Sequence, residues 1–78
     1  MLDVNDLLES AIAEVKNLQS GETFLVKDLF KGYEWNRIPR NSRLLLGTLF
    51  LNSVSNDKVL RIETVGKTSS NLQKYKKI

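Results

Sequence analysis

YEWNRIPRNSRLLLGTLFLNSV, residues 33–54, contains the chain's only Trp, its only Pro, three of its four Arg and its densest apolar run. Pro39 marks a helix start. At the first helical position its missing N–H would be unpaired anyway, and its fixed φ already suits the helix. A helix is therefore expected from Pro39 to Asn56. At roughly 100° per residue, Ser42, Leu46, Leu49, Phe50 and Ser53 share one face, with Leu45 and Val54 on its flanks and Gly47 just beyond. That face is expected to be core. The opposite face carries Arg40, Asn41, Leu44, Thr48, Leu51 and Asn52. It mixes long donors with leucines that do not belong in water, so it expects a partner. DNA is one candidate, because Arg and Asn read purine edges in the major groove and apolar atoms meet thymine methyls. A second copy of the chain, or a neighbouring segment covering Leu44 and Leu51, is the other. Arg43 lies nearer the core edge, where an intramolecular ion pair with Glu34 or Asp28 is expected. Arg37, just ahead of the helix, is placed for a phosphate.

The chain has 78 residues, enough for one small domain over 1–78 but too few to enclose a deep substrate cavity as well. With neither Cys nor His, it lacks disulfides, thiolate nucleophiles, the usual zinc ligands and the commonest general base. No metal, no cofactor and no enzymatic activity are expected. No apolar run approaches the roughly 20 residues of a membrane span. The acidic start lacks the charge and apolar block of a signal peptide. A cytoplasmic protein without membrane contact is expected. The net charge is only +3, but it is unevenly spread. Residues 1–30 hold six acids against Lys16 and Lys27, and residues 31–78 hold ten bases against Glu34, Asp57 and Glu63. A basic half turned toward a polyanion is the electrostatic footprint of nucleic-acid binding.

Around the central helix, residues 3–19 show apolar positions Leu7, Leu8, Ala11, Ile12, Val15 and Leu18 at helical spacing. Asp3 or Asn5 can cap this first helix, and Gly21 ends it. Thr23–Val26 is a short β-prone run that needs a partner strand. Lys27–Lys31 is expected as a brief helix stopped by Gly32, and residues 33–38 as its connection to the long helix, with Trp35 and Ile38 plugging the joint. A strand is expected over Val59–Val65, a polar tip over Gly66–Asn71 and a returning strand over Leu72–Ile78. The two form a hairpin with a basic, flexible end.

The runs FLVKDLFKGYEW, IPRNSRLLLGTLFLNSV and IETVGKTSSNLQKY, in this order, resemble winged helix-turn-helix domains. They look most like small, functionally undescribed proteins of Gram-positive bacteria and their mobile elements. The resemblance covers nearly the whole chain. It implies an α+β fold: three helices, a short strand and a C-terminal two-stranded hairpin wing. It also implies double-stranded DNA binding by a transcriptional regulator or accessory factor. The third helix enters the major groove through its N-terminal residues, here Arg40, Asn41, Leu44 and Thr48. The wing beside it maps onto Lys67, Thr68, Ser69, Ser70 and Asn71. Arg37, Lys67, Lys74 and Lys76 are the expected phosphate contacts, and Arg40 and Asn41 the expected base contacts. A homodimer is expected too, since two half-sites multiply affinity and a second copy would cover exposed leucines.

Two other uses of the fold stay open. Winged helices also dock proteins, for which outward Leu44, Leu45 and Leu51 are suited. The lysine-rich hairpin, with Tyr75 among Lys74, Lys76 and Lys77, is an alternative platform for RNA or single-stranded nucleic acid. Gly66, Lys67 and Thr68 match the end of a phosphate-binding P-loop, but Arg61 stands where that motif needs glycine, and a hairpin tip rather than a helix follows. The carboxylates Asp3, Asp6 and Glu9 have no cleft to tune them for acid–base work.

Overall fold

In the computed structural model, which describes residues 3–78, the helices are α1 (Val4–Val15), α2 (Gly32–Arg37) and α3 (Arg40–Asn56), and the strands are β1 (Thr23–Phe24), β2 (Ile62–Lys67) and β3 (Gln73–Lys77). Residues 1 and 2 of the expected 1–78 domain lie outside the described residues. Asp3 caps α1 as expected: its carboxylate accepts the Asp6 N–H at 3.0 Å. The helix ends at Val15, short of the expected Gln19. Beyond it the N–H groups of Lys16, Asn17 and Leu18 donate three residues back, to Ala13, Glu14 and Val15. The last turn thus tightens and runs out.

The second helix lies later than expected. Val26–Leu29 makes only a 3-10 helix, with the Asp28 carboxylate accepting the Leu25 N–H, and Phe30 is extended. Gly32 then opens α2 instead of stopping a helix, and the Trp35 N–H donates to the Lys31 carbonyl at 2.9 Å. Coiling residues 32–37 brings Trp35 against Phe30, with ring centroids 5.8 Å apart. Trp35 thus seals the joint beside Leu7, Ile38 and Leu46. The long helix follows almost as read. Pro39 is its N-cap (φ −58°, ψ 148°) and Arg40 its first residue. Leu46, Phe50 and Val54 are buried along it, whereas Leu45, expected on the core flank, is 48% exposed.

The hairpin is part of a three-stranded antiparallel sheet ordered β1-β3-β2. Phe24 and Thr64 flank Tyr75 in register, and the Gly21–Lys77 and Lys77–Glu22 backbone bonds extend the β1 edge. β2 starts later than the expected Val59. The Asp57 carboxylate accepts the Val59 N–H and folds Lys58–Leu60 into a 3-10 helix, and Arg61 takes a left-handed conformation (φ 53°) that breaks the run. Tyr75 turns inward and is 1% exposed. Its ring stacks on Phe24 at 5.7 Å and meets Phe50 edge-on at 5.0 Å. Burial pushes its phenol pKa above the ordinary value. It is a core residue, so the stacking platform imagined for it does not exist. Around this aromatic trio lie Ala11, Val15, Leu29, Val54 and Ile62.

Gly47 sits half-buried in mid-helix, and a Cβ added there would meet nothing within 4 Å. Gly47→Ala is therefore expected to stabilise the fold by about 0.5–1 kcal/mol. Urea denaturation checks it, and a loss of stability would mean that α3 is crowded there.

Candidate nucleic-acid interface

α3 is 17 residues long, about 25 Å. Its buried stripe ties it to α1 and β2, leaving the far face outward. Arg40, Asn41, Leu44 and Thr48 are all exposed on that face, with Leu44 62% accessible. The Thr48 hydroxyl donates to the Leu44 carbonyl at 3.2 Å, which leaves its oxygen free only to accept. Four of the five groups assigned to the α3 approach, Arg40, Asn41, Leu44 and Thr48, thus share one continuous surface, and Arg37 stands exposed immediately before it.

The start of α3 breaks two local rules. Pro39 supplies no side-chain cap and the first turn contains no acid, while Arg40 occupies the first helical position. A cation at the positive end of a helix costs a few tenths to about 1 kcal/mol, and uncapped N–H groups there favour an anion. The turn that precedes it is held rigidly. Arg43 donates from Nε to the Ile38 carbonyl at 2.8 Å and from Nη2 to the Asn36 carbonyl at 3.5 Å, and its guanidinium lies 5.6 Å from the Trp35 ring centroid. These carbonyls replace the expected ion pair with Glu34 or Asp28. The helix C-terminal carbonyls of α2 are satisfied by a side chain from α3, which fixes how the two helices meet.

The tip between β2 and β3 is cross-bonded. The Thr68 N–H donates to the Leu72 carbonyl at 2.8 Å, and the Thr68 Oγ1 accepts the N–H groups of Ser70 and Leu72, both at 3.2 Å. Gly66 (φ 100°) and Asn71 (φ 67°) take the left-handed turns, and the Gln73 side-chain amide donates to the Gly66 carbonyl at 2.8 Å. Thr68 is therefore occupied in shaping the loop. Lys67, Ser69, Ser70 and Asn71 remain exposed on it. Lys67 is five residues beyond buried Ile62, about 16 Å along the strand, so the tip projects clear of the core.

Lys74 and Lys76 sit apart from the α3 face. Side chains alternate along a strand, and with Tyr75 facing the helices the two lysines occupy the opposite face of the sheet. There Lys76 is registered with Thr23 and Glu63, and Lys74 lines a shallow hollow that runs from Leu25 and Asp28 to Thr68 of the tip. Lys77 is half-buried and donates to the Leu60 carbonyl at 3.2 Å.

One exposed group escaped the sequence reading. The Tyr33 ring has the Arg37 guanidinium at 5.1 Å and the Lys31 ammonium at 6.0 Å from its centroid. The signal was the four-residue spacing of Tyr33 and Arg37, which matters only once residues 32–37 are known to be helical.

Four of the acids close local turns or helix starts. Of the nine, Asp3, Glu22, Asp28 and Asp57 each accept a backbone N–H. Among the described residues no helix is long and apolar enough to cross a membrane.

Among solved structures the chain is similar to a protein described as "SCCmec type IV LP1413 - nucleic acids binding protein", at 25% identity and a TM-score of 0.76, over 96% of this chain and 86% of that one. No curated protein matches it. Residues 9–77 match the family described as "Domain of unknown function (DUF1413)", and the chain belongs to that family.

Proposed function

We propose that this chain is a winged helix-turn-helix protein that binds double-stranded DNA, with the start of α3 in the major groove and the Gly66–Asn71 tip against the backbone. The observation that carries this reading is the anomalous start of α3. An uncapped, acid-free first turn led by Arg40 is unfavourable alone and becomes favourable against phosphate. Asn41 and Arg40 stand where purine edges would be read, and Leu44 where a thymine methyl would be met. The element order and the β1-β3-β2 sheet agree with a winged helix. The similar structure, described as a nucleic-acid binding protein, lends the same direction. The protein acts by binding and not by catalysis, in the cytoplasm, as a transcriptional regulator or accessory factor.

Lys67→Ala is expected to weaken binding to all duplex sequences alike and to lower the slope of log affinity against log salt by about one. Lys76→Ala, on the far sheet face beside Glu63, should change the slope little. Fluorescence anisotropy over a salt series separates the two, and an unchanged slope for Lys67→Ala would remove the tip from the interface.

A second reading is favoured by Leu44, Leu45 and Leu51, all of them exposed on α3. They suit protein docking, or a homodimer pairing two half-sites. Leu44→Ser with Leu51→Ser would then abolish partner binding in sedimentation analysis, or, for a homodimer, abolish dimerisation and lower duplex affinity with it.

A further inference from the structure

Lys31 and Arg37 are both basic, both exposed, and both drawn to one ring. Like charges repel. The quadrupole of the Tyr33 ring attracts both, and the ring itself is 55% exposed. Each cation is thereby biased toward the ring, and a group preordered in this way loses less freedom when an anion arrives. The ring has its cations already, so it is not a free platform for a nucleobase. Glu34, the only acid of α2, lines with Arg37 a groove of about 360 Å³ beside Leu7 and Ile38.

Position adds the second strand of the argument. Arg37 precedes Arg40 by three residues, so their Cα atoms are at most about 11 Å apart. The major groove is about 12 Å wide. A duplex that takes Arg40 between its walls therefore brings backbone phosphates within reach of Arg37 and the ring cluster.

We propose that Lys31, Tyr33 and Arg37 form a phosphodiester-binding cluster that grips the backbone flanking the groove occupied by α3. The inference rests on the duplex-binding reading above. Lys31 and Arg37 supply the charge, and the Tyr33 ring attracts both. Its hydroxyl is dispensable.

The test is binding of the full chain to a mixed-sequence duplex across a salt series, with melting curves to confirm that each variant is folded. Lys31→Gln and Arg37→Gln should each lower the salt slope by about one and weaken binding about threefold to tenfold at low salt. Tyr33→Leu should leave the slope nearly unchanged and weaken binding about twofold to fivefold, whereas Tyr33→Phe should bind like the wild type. If the wild type binds, Lys67→Ala lowers the slope, and both charge variants keep it, the cluster proposal is overturned while the duplex reading stands. If the wild type shows no salt-dependent binding, both fall together.

Discussion

Phe50→Ala is expected to cost about 3–5 kcal/mol. Phe50 is wholly buried in α3 and meets Tyr75 and Phe24 edge-on at 5.0 and 6.2 Å. It is the one ring that joins the long helix to both β1 and β3. Removing it leaves a cavity that the stacked Phe24–Tyr75 pair cannot fill without leaving the sheet register. A domain of this length has a total stability of roughly 4–12 kcal/mol, so the variant should lose a large share of it. Leu51→Ala, one residue along and turned outward, should cost less than about 1 kcal/mol. Urea denaturation of the pair decides it. A Phe50 loss no greater than the Leu51 loss would mean that the core lies elsewhere.

Arg40→Ala combined with Asn41→Ala is expected to erase preference among duplex sequences. Each base contact made by such side chains is worth roughly 1–3 kcal/mol of discrimination, about tenfold to a hundredfold. The double variant should therefore bind a selected site no better than a mixed-sequence duplex, while its contacts through Lys67 persist. Both residues are exposed, and loss of the cation at the first helical position should, if anything, raise the melting temperature slightly. Arg40→Glu sharpens the point. An acid at the first helical position complements the helix dipole and should raise stability by a few tenths of a kcal/mol, yet it should destroy duplex binding. Function and stability would then pull one residue in opposite directions, as expected of a functional site. Competition binding together with thermal melting reads both effects. Unchanged sequence preference in the double variant would take the α3 start out of base recognition.

Local rules were sufficient for some elements and not for others. Pro39 announced α3 to within one residue, and Asp3 announced the start of α1, because both act through their immediate neighbours. Gly32 misled, since glycine stops helices more often than it opens them, and what makes α2 coil is the distant packing of Trp35 against Phe30 and Ile38. The third strand depended on pairing Phe24 with Tyr75 across most of the chain, which no local pattern records. Alternation put Tyr75 opposite Lys74 and Lys76 but could not say which side faced the core, so the burial of Tyr75 and the outward turn of the two lysines became visible only in the fold. The outward face of α3 was legible because its Arg, Asn and Leu residues follow helical spacing. The Lys31, Tyr33 and Arg37 cluster was not, because it depends on α2.

The most direct test of duplex binding through α3 and the tip is a titration of isotope-labelled protein with a mixed-sequence duplex. Backbone amide shifts would be followed at low and then moderate salt. The amides of Arg40 and Asn41 and those from Gly66 to Asn71 should move together, and the response should weaken as salt rises. No shift at any of these positions, or shifts confined to β3, would contradict it.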